Sequence, residues 1–226
     1  YKTVLRQMFG NYLPMRSSIP IAFIALGSYG REQLCVHSDI DLLIVYEKND
    51  GYNISAIIEK FLYLAWDAGL KLGHRVHEVN DLLAASREDI TIKTALMESR
   101  LIIGSPFTWS STQNKLTQIR HDEPKKFIRE KLLEAEKRRS KYSLSMQPHI
   151  KEGMGGLRDS QLLFWIAKTL YGVTTLKELS GILFTEEQYK EYRIALELLF
   201  RVRSGLHILT GKQQDHLTLQ YMPNIA

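Results

Sequence analysis

Asp39 and Asp41 stand one residue apart at the head of an apolar run, "DIDLLIVYE" (39–47). Alternation along a strand sends residues i and i+2 to one face, with Cβ atoms about 6–7 Å apart. Ile40, between them, points the other way, into a core. Two carboxylates so placed suit a hard cation, since Mg²⁺ takes one or two protein carboxylates and leaves its remaining positions to phosphates and water. Two such ions about 3.5–4 Å apart activate an attacking oxygen and stabilise a leaving pyrophosphate. Upstream, Gly27-Ser28 ends a first apolar run, "IAFIAL" (21–26), and Gly30-Arg31 follows. Glycine admits backbone N–H groups close to a phosphate, and the Ser28 hydroxyl adds a hydrogen bond. Arg31 offers a fixed charge to a phosphate or to a neighbouring carboxylate. A lone Gly-Ser or Asp-x-Asp is common in turns. Their ordered combination between two apolar strands is not.

The elements that must hold these groups are legible around them. Residues 1–17 read as a helix ended before Pro20, and strands are predicted near 21–26, 39–47 and 70–79, with Gly73 as a bulge. Ile54, Ile57, Ile58, Phe61, Leu62 and Ala65 recur at helical spacing, so 54–68 packs one face on a sheet. After Asp81 only helices are predicted, near 80–86, 88–99, 106–119, 124–145, 159–171, 175–181 and 186–210. Thr185 with Gln188 forms a capping-box pattern for the last of these, and Gly211 is its natural stop. The stripe of Tyr189, Tyr192, Leu196, Leu199, Val202, Leu206 and Leu209 reads as core. The fold class expected is α+β: a mixed-sheet head over residues 1–104, then an all-helical domain over 105–226.

The 226 residues are 44% hydrophobic and 24% charged, as in an ordinary soluble domain. No apolar run reaches the length of a membrane span, and no signal-peptide pattern opens the chain. The missing initiator Met suggests a segment of a longer protein, and a single cysteine fits a reducing cytoplasm. Cys35, the one cysteine, has no partner for an internal disulfide and reads as a small buried residue. A net charge of +5 suits a polyanionic partner or plain solubility. There is no RNA-binding motif and no interleaving of aromatic with basic residues, which argues against nucleic acid.

A second cluster, "QPHIKEGMGGLRDSQLLFWIAK" (147–168), joins a glycine-rich loop to a helix. Its glycines allow close backbone approach, Lys151 and Arg158 add charge, and Asp159 favours a helix N-terminus. A structural loop and an anion site are both open on these residues. No Lys-Ser or Lys-Thr follows the glycines, so it is no P-loop. Glu78 is a candidate third carboxylate near the end of the third strand, with Asp67 as the other; Asp67 also reads as a helix cap. His74 and His77 fall on opposite faces of that strand, against a zinc site. The basic helix over Lys125–Lys141 reads as a solvated face, with docking of an acidic protein or a phosphate as the alternative.

"GSYGR…SDIDLLIV" resembles the signature of the nucleotidyltransferase superfamily, whose polymerase-beta-like head binds a nucleoside triphosphate and two Mg²⁺ ions. "KEGMGGLRD", "WDAGLKLGHRV" (66–76), "ESRLIIG" (98–104) and "LHILTGKQQDHLTLQ" (206–220) extend the resemblance, in order, to the bacterial PII uridylyltransferase/uridylyl-removing family. The resemblance implies transfer of UMP from UTP to a tyrosine of the PII nitrogen-signalling protein. It also implies Asp39 and Asp41 as metal ligands and catalytic groups, and Gly27, Ser28 and Arg31 in the nucleotide site. Lys151, Gly155, Gly156, Arg158 and Asp159 match the family's second motif. Ser28 stands where that family usually has glycine, and Met154 where it has proline. Gly-Ser heads and a similar helical body are shared by nucleotidyltransferases attached to CBS or cyclic-nucleotide-binding domains, a group with no assigned acceptor. No spaced His-Asp hydrolase site follows, so neither uridylyl-removing activity nor a glutamine response is expected of this segment.

Overall fold

A computed structural model describes residues 19–48, 51–142 and 145–225. The helix expected over 1–17 lies outside them. The chain divides into two compact units. One runs to Leu34 and resumes over Asp39–Ile119; the other takes Cys35–Ser38 and the chain from Arg120 onward.

The first unit carries β1 (Ile21–Leu26), the one-turn α1 (Gly27–Gly30), β2 (Ile40–Tyr46), α2 (Ile54–Asp67), β3 (Leu72–Glu78), α3 (Leu82–Glu88), α4 (Ile90–Met97), β4 (Arg100–Gly104) and most of α5 (Pro106–His121). The strands form one mixed sheet in the order β3-β2-β1-β4. β1 is antiparallel to both neighbours, while β2 and β3 are parallel and joined through α2. Both faces of the sheet are covered, which is why β1 and the middle of β2 read as continuous apolar runs rather than alternating ones. On one face Phe23, Leu42 and Ile44 pack with Ile58, Phe61 and Leu62 of α2. The Phe23 and Phe61 rings sit 4.6 Å apart, centroid to centroid. On the other, Ile24, Leu26, Leu43 and Val45 meet Leu82, Leu96 and Ile119 from α3, α4 and α5.

Two expectations are corrected here. The region after Asp81 is not helical throughout, because "RLIIG" forms β4 and pairs with β1. Five residues are too few to show a period, and only long-range pairing makes them a strand. Gly73 is no bulge either: β2 and β3 stay in register without a break from Ile40–Leu72 to Tyr46–Glu78. The sheet's irregularity lies between Phe23 and Ile24 in their pairing with β4.

The second unit holds α6 (Pro124–Lys141), α7 (Leu157–Tyr171), a 3-10 turn (Leu176–Leu179), α8 (Glu186–Thr210) and α9 (Met222–Ile225). α6 stops at Lys141, short of the predicted 145, with Tyr142 as its C-cap. α8 starts and stops where its caps predict. Gln188 N–H donates to the Thr185 hydroxyl at 3.1 Å, and Thr185 N–H donates to the Gln188 side chain at 2.9 Å. Gly211 closes the helix in the left-handed region, at φ +64°. Apart from Leu206, the stripe read as core is only half-buried or, as at Leu209, 45% exposed. The residues α8 buries are Leu206 and two polar ones, Arg203 and His207.

Candidate functional site

Asp41, the second residue of β2, lies beside two glycines, Gly27 on the β1 side and Gly73 directly opposite on β3. A Cβ at Gly27 would stand 2.9 Å from Asp41 Oδ2, and one at Gly73 only 2.6 Å from Oδ1. The carboxylate therefore occupies a notch that any side chain at either position would fill. Gly27 also needs its left-handed φ of +55° to turn the chain out of β1. Ser28 follows in α1, half-buried, its carbonyl accepting from Gln33 N–H at 2.8 Å. Asp39 is exposed, two residues before Asp41 and just ahead of β2. Two carboxylates at a strand mouth, one of them in a glycine notch, are a hard-oxygen donor set of the kind a magnesium ion takes.

Of the two partners open to Arg31, the structure shows the carboxylate. Arg31 pairs with Glu98, their side chains 12% and 4% exposed, and its Nε donates to Gln33 Oε1 at 3.0 Å. Glu78 is not a third carboxylate beside Asp41. It pairs with Tyr46 at the far end of β2, on the opposite face of the sheet, and its partner is Lys48 at 3.1 Å. Asp67 is the exposed last residue of α2, followed by Ala68 as the cap. His74 lies opposite Leu42 and His77 opposite Val45, so their side chains leave different faces.

In the second unit the "KEGMGG" loop closes on itself. Gly156 N–H donates to Gly153 O, Leu157 N–H to Ile150 O, Arg158 N–H to Lys151 O and Asp159 N–H to Gly156 O, at 2.9–3.0 Å. The donors at the start of α7 thus already have acceptors within the loop. Asp159 accepts from Gly155 N–H at 2.8 Å, from Arg138, and from Arg139 at 3.2 Å. Burial acts to raise its pKa, but the Gly155 N–H and the two guanidinium groups outweigh it and hold the carboxyl below its ordinary range. Asp159→Ala should lower the stability of the second unit by about 1.5–3 kcal/mol, the worth of hydrogen bonds to a charged group, read from denaturant unfolding. A change within a few tenths would show that the loop needs no brace.

Arg158 donates to Gln161 Oε1 at 2.7 Å and lies 3.5 Å from Glu152. Lys151 is pushed below its ordinary pKa, chiefly by burial and then by the nearby charges of Arg158 and Arg203. The basic helix α6 is not simply solvated. Lys131 is buried over the Trp165 ring, 4.4 Å from its centroid, and Arg138 and Arg139 reach Asp159.

Sequence reasoning missed a buried group in this unit. Asp215 accepts from Arg203 Nε at 2.6 Å and from His207 Nε2 at 3.2 Å, and Arg203 Nη1 lies 3.5 Å from Cys35 Sγ. Arg203 and His207 are four apart on one helix, a spacing that shares a face and could have marked them.

Residues 2–91 match the family described as "Putative nucleotidyltransferase DUF294", and residues 126–226 match "GlnD PII-uridylyltransferase". Among curated proteins the chain is similar to bifunctional uridylyltransferase/uridylyl-removing enzymes. That of Ruegeria pomeroyi is 37% identical over 91% of the chain, and that of Methylococcus capsulatus 37% over 93%. That of Pseudomonas savastanoi is 38% identical over 91%. The chain spans 23–24% of the length of these relatives. The first part of the chain thus matches a nucleotidyltransferase family and its second part a PII-uridylyltransferase family.

Proposed function

We propose that the chain is the transferase segment of a protein uridylyltransferase, moving UMP from UTP to a tyrosine of the PII signalling protein. The observation that carries it is the Asp41 carboxylate in its notch between Gly27 and Gly73, in a chain similar to uridylyltransferases over nine-tenths of its length. Asp39 and Asp41 would hold magnesium, which when bound neutralises phosphate charge and stabilises the leaving pyrophosphate. Gly27 and Ser28 receive the triphosphate. The tyrosine oxygen forms a bond to the α-phosphorus, the α–β phosphoanhydride bond breaks, pyrophosphate leaves, and the phenolic proton passes to solvent. In the second motif, Gly155, Gly156 and Asp159 hold the loop's shape, and Lys151 and Arg158 are its charged groups for the nucleotide. Arg31 acts at the nucleotide site through Glu98 rather than by direct contact.

The test is transfer of label from each of four α-labelled nucleotides to PII, with Asp39→Asn as the control. Label on PII from UTP alone, lost in the control, is the expected result. A second reading is favoured by the match of residues 2–91 to the DUF294 family: the same head chemistry with a different acceptor. Pyrophosphate release without label on PII would select it, and UTP binding without turnover would mark a regulatory nucleotide-binding module.

A further inference from the structure

The α1 turn is tied along one side to the segment Glu98–Arg100, and the ties are made within the first unit. Arg100 donates from Nη2 to Tyr29 O at 2.9 Å and from Nε to Gly30 O at 3.2 Å. Its guanidinium carbon lies 5.4 Å from the centroid of the Tyr29 ring, and Nε is 3.5 Å from Glu32. Glu98 holds Arg31, the residue that closes the turn. The backbones touch as well, since a Cβ at Gly30 would stand 2.0 Å from Glu98 O.

The irregularity in the sheet explains how Arg100 reaches the turn. Phe23 pairs with Ile103 but Ile24 pairs with Leu101, so Ile102 is an extra residue in β4. A bulge reverses which face the following side chains take. Leu101 accordingly packs on the face of Ile24, while Arg100 pairs with Ala25 and takes the face on which Tyr29 packs. Without the extra residue Arg100 would fall opposite Leu26, on the face of Asp41.

We propose that Arg100 and Glu98 are positioning residues for nucleotide transfer: they fix the Gly27–Gly30 turn against β4 and so set its spacing from the Asp41 carboxylate, without touching substrate. This rests on the reading of that turn as the triphosphate's seat. The arrangement differs from an ordinary stabilising ion pair because both residues act on the same four-residue turn, Arg100 on its carbonyl oxygens and Glu98 on Arg31, the residue that caps it. A misplacement of about 1 Å in a bound reactant costs on the order of 10²-fold in rate, so a turn that shifts by less than that is already costly.

The test uses Arg100→Gln, Arg100→Lys and Glu98→Gln in the whole protein, with two readouts. In the nucleotide-free protein, amide hydrogen exchange at residues 27–33 should rise at least about tenfold in Arg100→Gln while exchange at residues 42–45 in the sheet stays unchanged. In transfer assays, KM for MgUTP should rise about tenfold, with a smaller fall in kcat. Arg100→Lys, which keeps one charged donor, should recover part of both, and Glu98→Gln, which loses the charge paired with Arg31, should raise both in the same direction as Arg100→Gln. Unchanged exchange at 27–33 in Arg100→Gln, or exchange raised equally across the sheet, would overturn the proposal. So would a normal KM in a variant whose turn exchanges faster. If the wild-type protein takes no nucleotide at all, the nucleotidyltransferase reading falls, and the exchange measurement decides separately whether Arg100 holds the turn.

Discussion

Asp41→Asn is expected to keep the fold and lose the chemistry. Asparagine has the shape of aspartate, so it fits the notch between Gly27 and Gly73 that leaves room for Asp41 and for nothing larger. What it removes is the negative charge that a divalent cation requires. Loss of one preorganised electrostatic group at a reacting centre costs about 10²–10³-fold in kcat, and a fall of that size is expected in transfer from α-labelled UTP. The denaturation midpoint should hold within a degree or two. Gly73→Ala supplies the complementary arm. It keeps both carboxylates but sets a methyl group 2.6 Å from Asp41 Oδ1, so the carboxylate must turn away. Transfer should fall in this variant as well, although Gly73 lies outside the glycine-serine and aspartate motifs. A rate within threefold of wild type in either variant would remove Asp41 from the reaction.

Much of this was legible in the sequence, for reasons that differ from residue to residue. β1, β2 and α2 announce themselves because local patterning and burial agree: continuous apolar runs for strands covered on both faces, helical spacing for α2. The caps of α8 were readable because a capping box and a C-terminal glycine are local chemistry. β4 was not, since its strand character comes from pairing with β1, far away in sequence. Gly73 was noticed for the wrong reason; its role depends on a carboxylate on the neighbouring strand. Glu78 was a candidate because it is acidic and near a strand end, but the parallel register sends it to the other end and the other face. The charges of Arg31, Arg138 and Arg139 could be counted, yet only the fold shows them meeting Glu98 and Asp159.

Asp215→Ala should strongly destabilise the helical unit. Asp215 and Arg203 have side chains 9% and 6% exposed, and Asp215 also accepts a hydrogen bond from Nε2 of His207, a side chain with no exposure at all. Its backbone carbonyl accepts from Ile150 N–H at 2.7 Å, so the same residue ties α8 to the segment leading into the "KEGMGG" loop. Removing the carboxylate leaves a buried guanidinium without its counter-charge, which costs about 3–5 kcal/mol and lowers the denaturation midpoint on the order of 10 °C. Asp215→Asn, which still accepts a hydrogen bond, should cost less. The same group fixes the sign of the acid response. Burial acts to raise the Asp215 pKa, but Arg203 and His207 outweigh it and leave it below 3.8. His207 is held below 6.5, first by burial and then by Arg203 against the pull of Asp215, and its Nδ1 is buried without a hydrogen-bond partner. Both groups are more easily deprotonated in the fold than in the unfolded chain. Their contribution is therefore complete at neutral pH and lost on acidification, from pH 6.5 downward for His207 and from 3.8 downward for Asp215. In Asp215→Ala the lower step should shrink, while His207, deprived of its carboxylate and still beside Arg203, should resist protonation further. Alanine tolerated within about 1 kcal/mol, or an acid profile identical to wild type, would show that Arg203 keeps a counter-charge from elsewhere.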